Sequence, residues 1–552
     1  MFCIPQSAYA LKWYRYVISD GAATIVEYKS TDEDFVIPAS IGEYPVTAIG
    51  DYALERCYAV TITLPDSVTT VGKGAFRYCD ELTEVRLSGT VTAVAADAFD
   101  FCGALTDISV SGDNPAFSDV DGILFNKAKT ELIRYTEGRS GTAYTVPDSV
   151  TAIGESAFYR CRRLVRVSAP KGLKRIEENA FRACSKLADI AMPDALEEIG
   201  GFAFYACKSL TSVTVPRGVT EIGSGAFSFC SLTDISVADE NQFFSDLNGS
   251  LFDKTQKKLV QYAVGKTESA YAIPAGVTVI GDRAFVGCAS LTEISIPSSV
   301  TSIGRYAFLE CVNLADIEIP SGVTVIEDGV FCGCEALAET TIPNNAVSIG
   351  AEAFGFCTGL TVIALPGKVE AVGERAFSGC SALERITISD SVKSIGVGAF
   401  DYCDALIDIS VSEGNPSYKS VSGNLFNKSG TELVNYAPGK SDTSYTLPTG
   451  VESIGYRAFS HCTSLERVVI PEGVTSIGGF AFCFSGLTEA ALPYSVTSIG
   501  DSPFAACSSL TALNVALKLQ AAGSGMEFER QNNIYLSLGA YKALFYSGRG
   551  RL

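Results

Sequence analysis

The sequence predicts a repeat solenoid: short parallel strands stacked in a ladder, joined by short 3₁₀ or helical turns and closed at the start by a β-rich cap. Three observations predict it. A 23-residue frame recurs along nearly all of the 552 residues. Hydrophobic residues make up 47% and charged residues 19%, which excludes the disordered and collagen-like classes. One copy of the frame is too small to bury its own apolar face, so copies must lie against one another.

The chain begins outside the frame. Ser7-Ala8-Tyr9-Ala10 has the A-x-A spacing of a cleavage site, but the apolar stretch before it is too short and has no positive region, so residues 1–10 read either as a signal-peptide remnant or as a chance match of small residues. Residues 1–50 read as an N-terminal cap: Ala23–Tyr28 and Asp34–Pro38 are strand-like, and Pro45–Gly50 enters the frame. No apolar run approaches the ~20 residues of a membrane helix, so no membrane span is expected in this chain.

Residues 51–515 form sixteen copies. Cys288 to Cys311 shows the frame, anchored by Leu291, Ile294, Ile296, Pro297, Val300, Ile303, Gly304, Ala307 and Phe308. In L-x-x-I-x-I the last two apolar residues share one face of a strand. The proline donates no ladder hydrogen bond and closes that strand. V-x-x-I-G gives a second short extended piece. Its glycine is replaced by Ala95, Glu177 and Glu327 in three copies, so a positive φ is not expected to be obligatory. A-F-x-x-C-x-x-L has the spacing of one or two helical or 3₁₀ turns.

Three inserts, near 111–146, 238–273 and 412–447, break the period. Each carries Leu-Phe-(Asn/Asp)-Lys, as in Leu124-Phe125-Asn126-Lys127, followed by an apolar-rich stretch such as Leu132-Ile133-Arg134-Tyr135. Two β-prone runs around a polar turn predict a hairpin or an enlarged coil. Residues 516–552 hold no copy and read as a C-terminal cap or a tail.

The full frame, with I-P, V-T-S-I-G and A-F-x-x-C, resembles the BspA-type leucine-rich repeat family of bacterial and protist surface proteins; Ile296 to Gly304 carries it closely. The resemblance implies a right-handed β/α superhelix of the leucine-rich-repeat type. It also implies a cell-surface or secreted adhesin whose partners are host extracellular or bacterial surface proteins.

Fifteen of the eighteen cysteines sit three residues after the repeat phenylalanine, or after Leu54 in the first copy. One thiol per coil builds a ladder, whereas zinc needs four converging ligands. The cysteines are therefore expected to be free thiols in the core, which hints at a reducing or anaerobic setting. His461 is the sole histidine, so a His-rich metal site is impossible. Asp113, Asp119 and Asp121 invite a calcium reading, but the third insert has Gly414, Ser420 and Ser422 there. No metal and no cofactor are expected.

The net charge of −20 disfavours a nucleic-acid partner. The exposed second residue after the repeat leucine is acidic in nine copies: Glu84, Asp107, Asp189, Asp234, Glu293, Asp316, Glu339, Asp408 and Glu489. Arg166, Arg385 and Arg467 interrupt the stripe. Like charges ~5 Å apart cost up to about 1 kcal/mol per contact even in water. Such a stripe either steers a basic partner or keeps a solenoid soluble. A basic patch gathers Arg160, Arg162, Arg163, Arg166, Lys171, Lys174 and Arg175, with Arg182 and Lys186 after them.

The reading is a non-enzymatic binding protein presenting an extended repeat surface. An intracellular protein-interaction scaffold of the same fold is the alternative. A polysaccharide-active enzyme would need carboxylates converging in a groove, and the repeat spreads its acids one per rung.

Overall fold

A computed structural model describes residues 13–29, 33–515, 520–521 and 534–536. The signal-peptide remnant, Cys3 and most of residues 516–552 lie outside the described residues. The chain divides into two compact units, Met1–Lys266 and Thr267–Leu552.

Both units are stacks of coils with parallel strand ladders, a β-solenoid. The coil from Cys288 shows the plan. Strand Glu293–Ser295 pairs in register with the next coil, Glu293 opposite Asp316 and Ile294 opposite Ile317. Pro297 follows, and Val300 N–H closes a turn onto its carbonyl at 3.0 Å. Strand Ser302–Ile303 then joins a second ladder, with Ile303 opposite Ile280. Leu291, Ile294, Val300, Ile303 and Phe308 all face the interior and are at most 2% exposed. The expected period-two strand and the second extended piece are both present, because alternation turns alternate side chains inward.

The expected 3₁₀ or helical turns are replaced. Among the described residues there is no helix; Arg305 to Glu310 is a run of consecutive turns. Tyr306 and Glu310 sit in the left-handed region, φ 57° and 55°, which ends any helix locally. Successive amides then alternate. Ala307, Leu309 and Cys311 donate three residues back within the coil, at 3.3, 3.1 and 3.1 Å. Tyr306, Phe308 and Glu310 donate to Asp328, Val330 and Cys332 of the next coil, at 2.9, 2.9 and 2.8 Å. Each left-handed residue costs roughly 1–2 kcal/mol, and the bonds to the next coil offset it at about 1 kcal/mol each.

The repeat glycine is explained by close approach. A Cβ on Gly304 would stand 2.5 Å from the Asp282 amide nitrogen of the preceding coil, with no positive φ involved. Phenylalanines stack face to face along the spine: Phe308 lies 5.1 Å from Phe285 and 5.5 Å from Phe331.

At the start, Trp13–Ser19 and Ala22–Lys29 form an antiparallel pair, and Ala22–Lys29 runs parallel to Tyr44–Ile49. Asp34–Val36 begins the other ladder beside Thr61–Thr63. At the far end Ile534–Leu536 lies antiparallel on Ala512–Val515.

Each insert is an enlarged coil that carries a hairpin. In the first, Phe117–Val120 and Ile123–Asn126 pair antiparallel around Asp121-Gly122, whose φ angles of 51° and 74° suit a tight two-residue turn. Glu131–Arg134 then takes its place in one ladder beside Ala152–Ile153, and Ala143–Thr145 in the other beside Arg166–Ser168. Tyr135 stands in for the phenylalanine, 5.1 Å from Phe158.

Candidate protein-binding surface

The hairpins end the strand ladder that carries the acidic positions. The Gly122 carbonyl accepts from Ile108 N–H at 3.0 Å, and Gly423 accepts from Ile409 at 2.9 Å, so the outer edge of those strands is covered. Asp107, Asp234 and Asp408 lie at these covered edges; a Cβ on Gly122 would come within 2.3 Å of Asp107 Oδ1. The ladder is divided into separate sheets at the hairpins, and also between plain coils after Asp189–Ala191 and at the coil of Glu339.

Two acidic neighbours remain in register within a sheet: Glu84 with Asp107, and Glu293 with Asp316. Arg86 binds Glu84 at 2.7 Å and holds its carboxyl below the ordinary range. Asp189 and Glu489 face arginines of adjacent coils, Arg166 at 2.8 Å and Arg467 at 3.5 Å. Asp408 lies opposite Arg385, and its carboxylate accepts from Ser410 at 2.6 Å. Asp234 lies opposite Ser212. Glu339 is exposed on a coil that forms no strand there. Glu293 and Asp316 are exposed and have no cation partner among the described residues.

The basic positions do not form one face. Arg166 lies in strand Arg166–Ser168 and Arg175 in Arg175–Ile176, which belong to different sheets. Arg160 bonds Glu137 at 3.2 Å and covers the Phe101 ring, and Arg175 bonds Glu177 at 2.7 Å. Lys174 pairs with Glu197. Arg162, Arg163 and Lys171 are exposed, Arg163 reaching the Gly138 carbonyl at 3.5 Å. Of the residues that sequence proximity gathered, Arg160, Arg166, Lys174 and Arg175 are each engaged in an ion pair, worth ~0–1 kcal/mol apiece.

The seventeen described cysteines are free and buried. Their recurrence has a cause that spacing did not reveal. Cys311 Sγ donates to the Phe285 carbonyl at 3.2 Å, Cys334 to Phe308 at 3.3 Å, and Cys357 to Phe331 at 3.1 Å. A small apolar side chain with a weak donor adds a second hydrogen bond to a buried carbonyl that already accepts a backbone amide, as Phe285 does from Cys288 at 3.0 Å. Burial pushes the Cys230 and Cys380 thiols up to about 12, which suppresses the reactive thiolate.

Among the described residues no group of three or more His, Cys, Asp or Glu side chains converges as a metal site. Asp119 Oδ1 instead accepts from Val110 N–H at 2.9 Å, and Asp246 repeats this with Val237. His461 lies between Tyr402 and Phe484, at 3.9 and 4.9 Å, with Nε2 buried and unpartnered. Burial lowers its pKa.

Sequence reasoning missed the buried asparagine that founds each hairpin. Asn114 donates to the Ser88 and Val91 carbonyls at 2.8 and 2.9 Å and accepts from Ala116 and Phe117 amides at 2.9 and 2.8 Å. Asn241 and Asn415 make the same four bonds. The signal was an asparagine at one place in all three inserts, beside carboxylates that drew attention as calcium ligands.

A family model for the BspA type leucine rich repeat region matches residues 33–130, 135–257, 264–357, 324–439 and 435–536. No curated protein matches the chain. Among solved structures it is similar to a leucine rich cell surface protein from Faecalibacterium prausnitzii, at 28% identity and TM-score 0.39, over 74% of this chain and 96% of that one. A leucine-rich repeat protein from Bacteroides ovatus aligns at 22% identity and TM-score 0.34, over 92% and 98%. The pneumococcal vaccine antigen PcpA aligns at 18% and 0.35, over 85% and 99%. The family match runs through the coils that the structure stacks, and the chain belongs to the BspA-type leucine-rich repeat family.

Proposed function

We propose that this chain is a non-enzymatic cell-surface or secreted adhesion protein that binds other proteins through its exposed strand faces. Leucine-rich repeat proteins generally bind proteins, and the repeat family and fold are typically non-enzymatic. No helix among the described residues is long and apolar enough to cross a membrane. The observation that carries the reading is the in-register pair Glu293 and Asp316, exposed and without a cation partner on a rigid ladder. Stacking holds two like charges together there at an electrostatic cost, which a basic partner would relieve. Many modest contacts on a preorganised surface then supply affinity.

Reversing Glu293, Asp316 and Glu339 to lysine should weaken binding of a lysine-rich peptide and flatten its salt dependence. Unchanged binding removes the stripe from the mechanism. Antibody labelling of intact cells tests the location. The second reading, an intracellular scaffold of the same fold, is favoured by the free thiols. Protection of the chain from protease added to intact cells would support it.

A further inference from the structure

The three hairpin-bearing coils place different residues at one position: Arg134, Gln261 and Asn435. In the first coil Arg134 is buried and fills the space between the inserted strand and the preceding turn. Its Nη1 donates to Asp100 at 2.9 Å and to the Ser156 carbonyl at 3.0 Å, and its Nη2 to the Phe99 carbonyl at 3.0 Å. In the third coil Asn435 is too short to do this. Asp401, the counterpart of Asp100, is held by Arg457 at 2.6 Å, an arginine standing where the first coil has Ser156. A cavity of about 520 Å³ opens, lined among others by Asp401, Phe400, Tyr418, Glu432, Asn435 and Arg457.

The cavity lining holds two cations, Lys393 and Arg457, which pair with Glu370 and Asp401, and it leaves particular acceptors unmet. Asn435 Oδ1 is buried without a hydrogen-bond partner. The Phe400 carbonyl, counterpart of the one Arg134 holds, meets no donor among the described residues. Arg457 answers the Asp401 charge, which leaves Glu432 as a carboxylate without a cation among the described residues. A buried acceptor left unmet is costly. A flat group with several donors and one positive charge satisfies this set, and guanidinium is that group. The first coil shows part of the fit: its guanidinium meets the Phe99 carbonyl, whose counterpart Phe400 is open, whereas the counterpart of Asp100 is already held by Arg457.

We propose that the third hairpin-bearing coil is a pocket for the guanidinium of an arginine side chain on a partner protein, replacing from outside what Arg134 provides from within the first coil. The pocket shares no residue with the acidic stripe, so it stands whether or not the stripe binds.

The test is calorimetric titration of the full chain with Nα-acetyl-arginine methylamide, its citrulline counterpart and free arginine. The blocked arginine should bind, citrulline should bind at least tenfold more weakly, and Asn435→Arg should lose binding at least tenfold with the melting temperature unchanged. Position 134 shows that the fold accommodates arginine there. Should Asn435→Arg melt lower, Glu432→Gln replaces it, with an expected loss of at least threefold. Equal binding of arginine and citrulline, or binding unaffected by both substitutions, overturns the pocket. Binding of free arginine without the blocked form overturns the partner-protein source.

Discussion

The plain coils between Cys288 and Phe400 and the three hairpin-bearing coils share a spine and differ at their surface. In the plain coils each phenylalanine stacks on its counterpart 23 residues away, cysteines such as Cys311 reach the phenylalanine carbonyl 26 residues back, and outer residues pair in register where both coils form the strand, as Glu293 with Asp316. In the hairpin-bearing coils the spine continues through Tyr135 or Tyr436, but one strand ladder stops against the hairpin. The difference teaches that stacking fixes the core, while the inserts decide where an exposed face begins and ends. It also teaches that one backbone position can be plugged, as by Arg134, or left open, as by Asn435.

The largest effect should come from breaking the plain stack. Phe308→Ala removes a fully buried ring between two others and should cost about 3–5 kcal/mol in denaturant unfolding. The hairpin-bearing counterpart is Asn114→Ala, which strips partners from two carbonyls and two amides. It should cost about 2–3 kcal/mol and loosen the hairpin at Phe117–Asn126 while the plain coils keep their amide protection. Next comes Gly304→Ala, at about 1–2 kcal/mol, because its Cβ meets the backbone of the preceding coil. The same change at exposed Gly172, where nothing stands within 4 Å, should be near neutral.

The smallest effect concerns pH. Burial lowers the His461 pKa below its ordinary value of 6.5, so the unfolded chain binds the proton more readily. Its stabilising contribution is complete above 6.5 and is lost as pH falls through the folded value. His461→Phe, matching Phe484 of the next coil, should remove that part of the pH dependence, and the single imidazole signal in a proton NMR titration should report a midpoint below 6.5.

Much of the core was legible because its partners repeat the frame. Ile294 and Ile317 hold the same place in consecutive copies, and they pair. The same register would have found the Arg166–Asp189 ion pair, which charge counting along the chain had assigned to separate features. The turns were not legible. Apolar residues at Ala307, Phe308, Cys311 and Leu314 imitate a helix face, whereas the bonds that fix the segment run to residues 22 positions ahead. The cavity was hidden for a related reason: Asn435 gains meaning only beside the buried Arg134 of another coil.

The central claim is that each coil holds its shape by lying against its neighbours. Peptide-resolved hydrogen exchange on Phe308→Ala tests it most directly. The account predicts faster exchange both in residues 304–311 and in the flanking turns around Phe285 and Phe331, whose rings and amides meet that coil. Faster exchange confined to residues 304–311, with both flanking turns as protected as before, would contradict it.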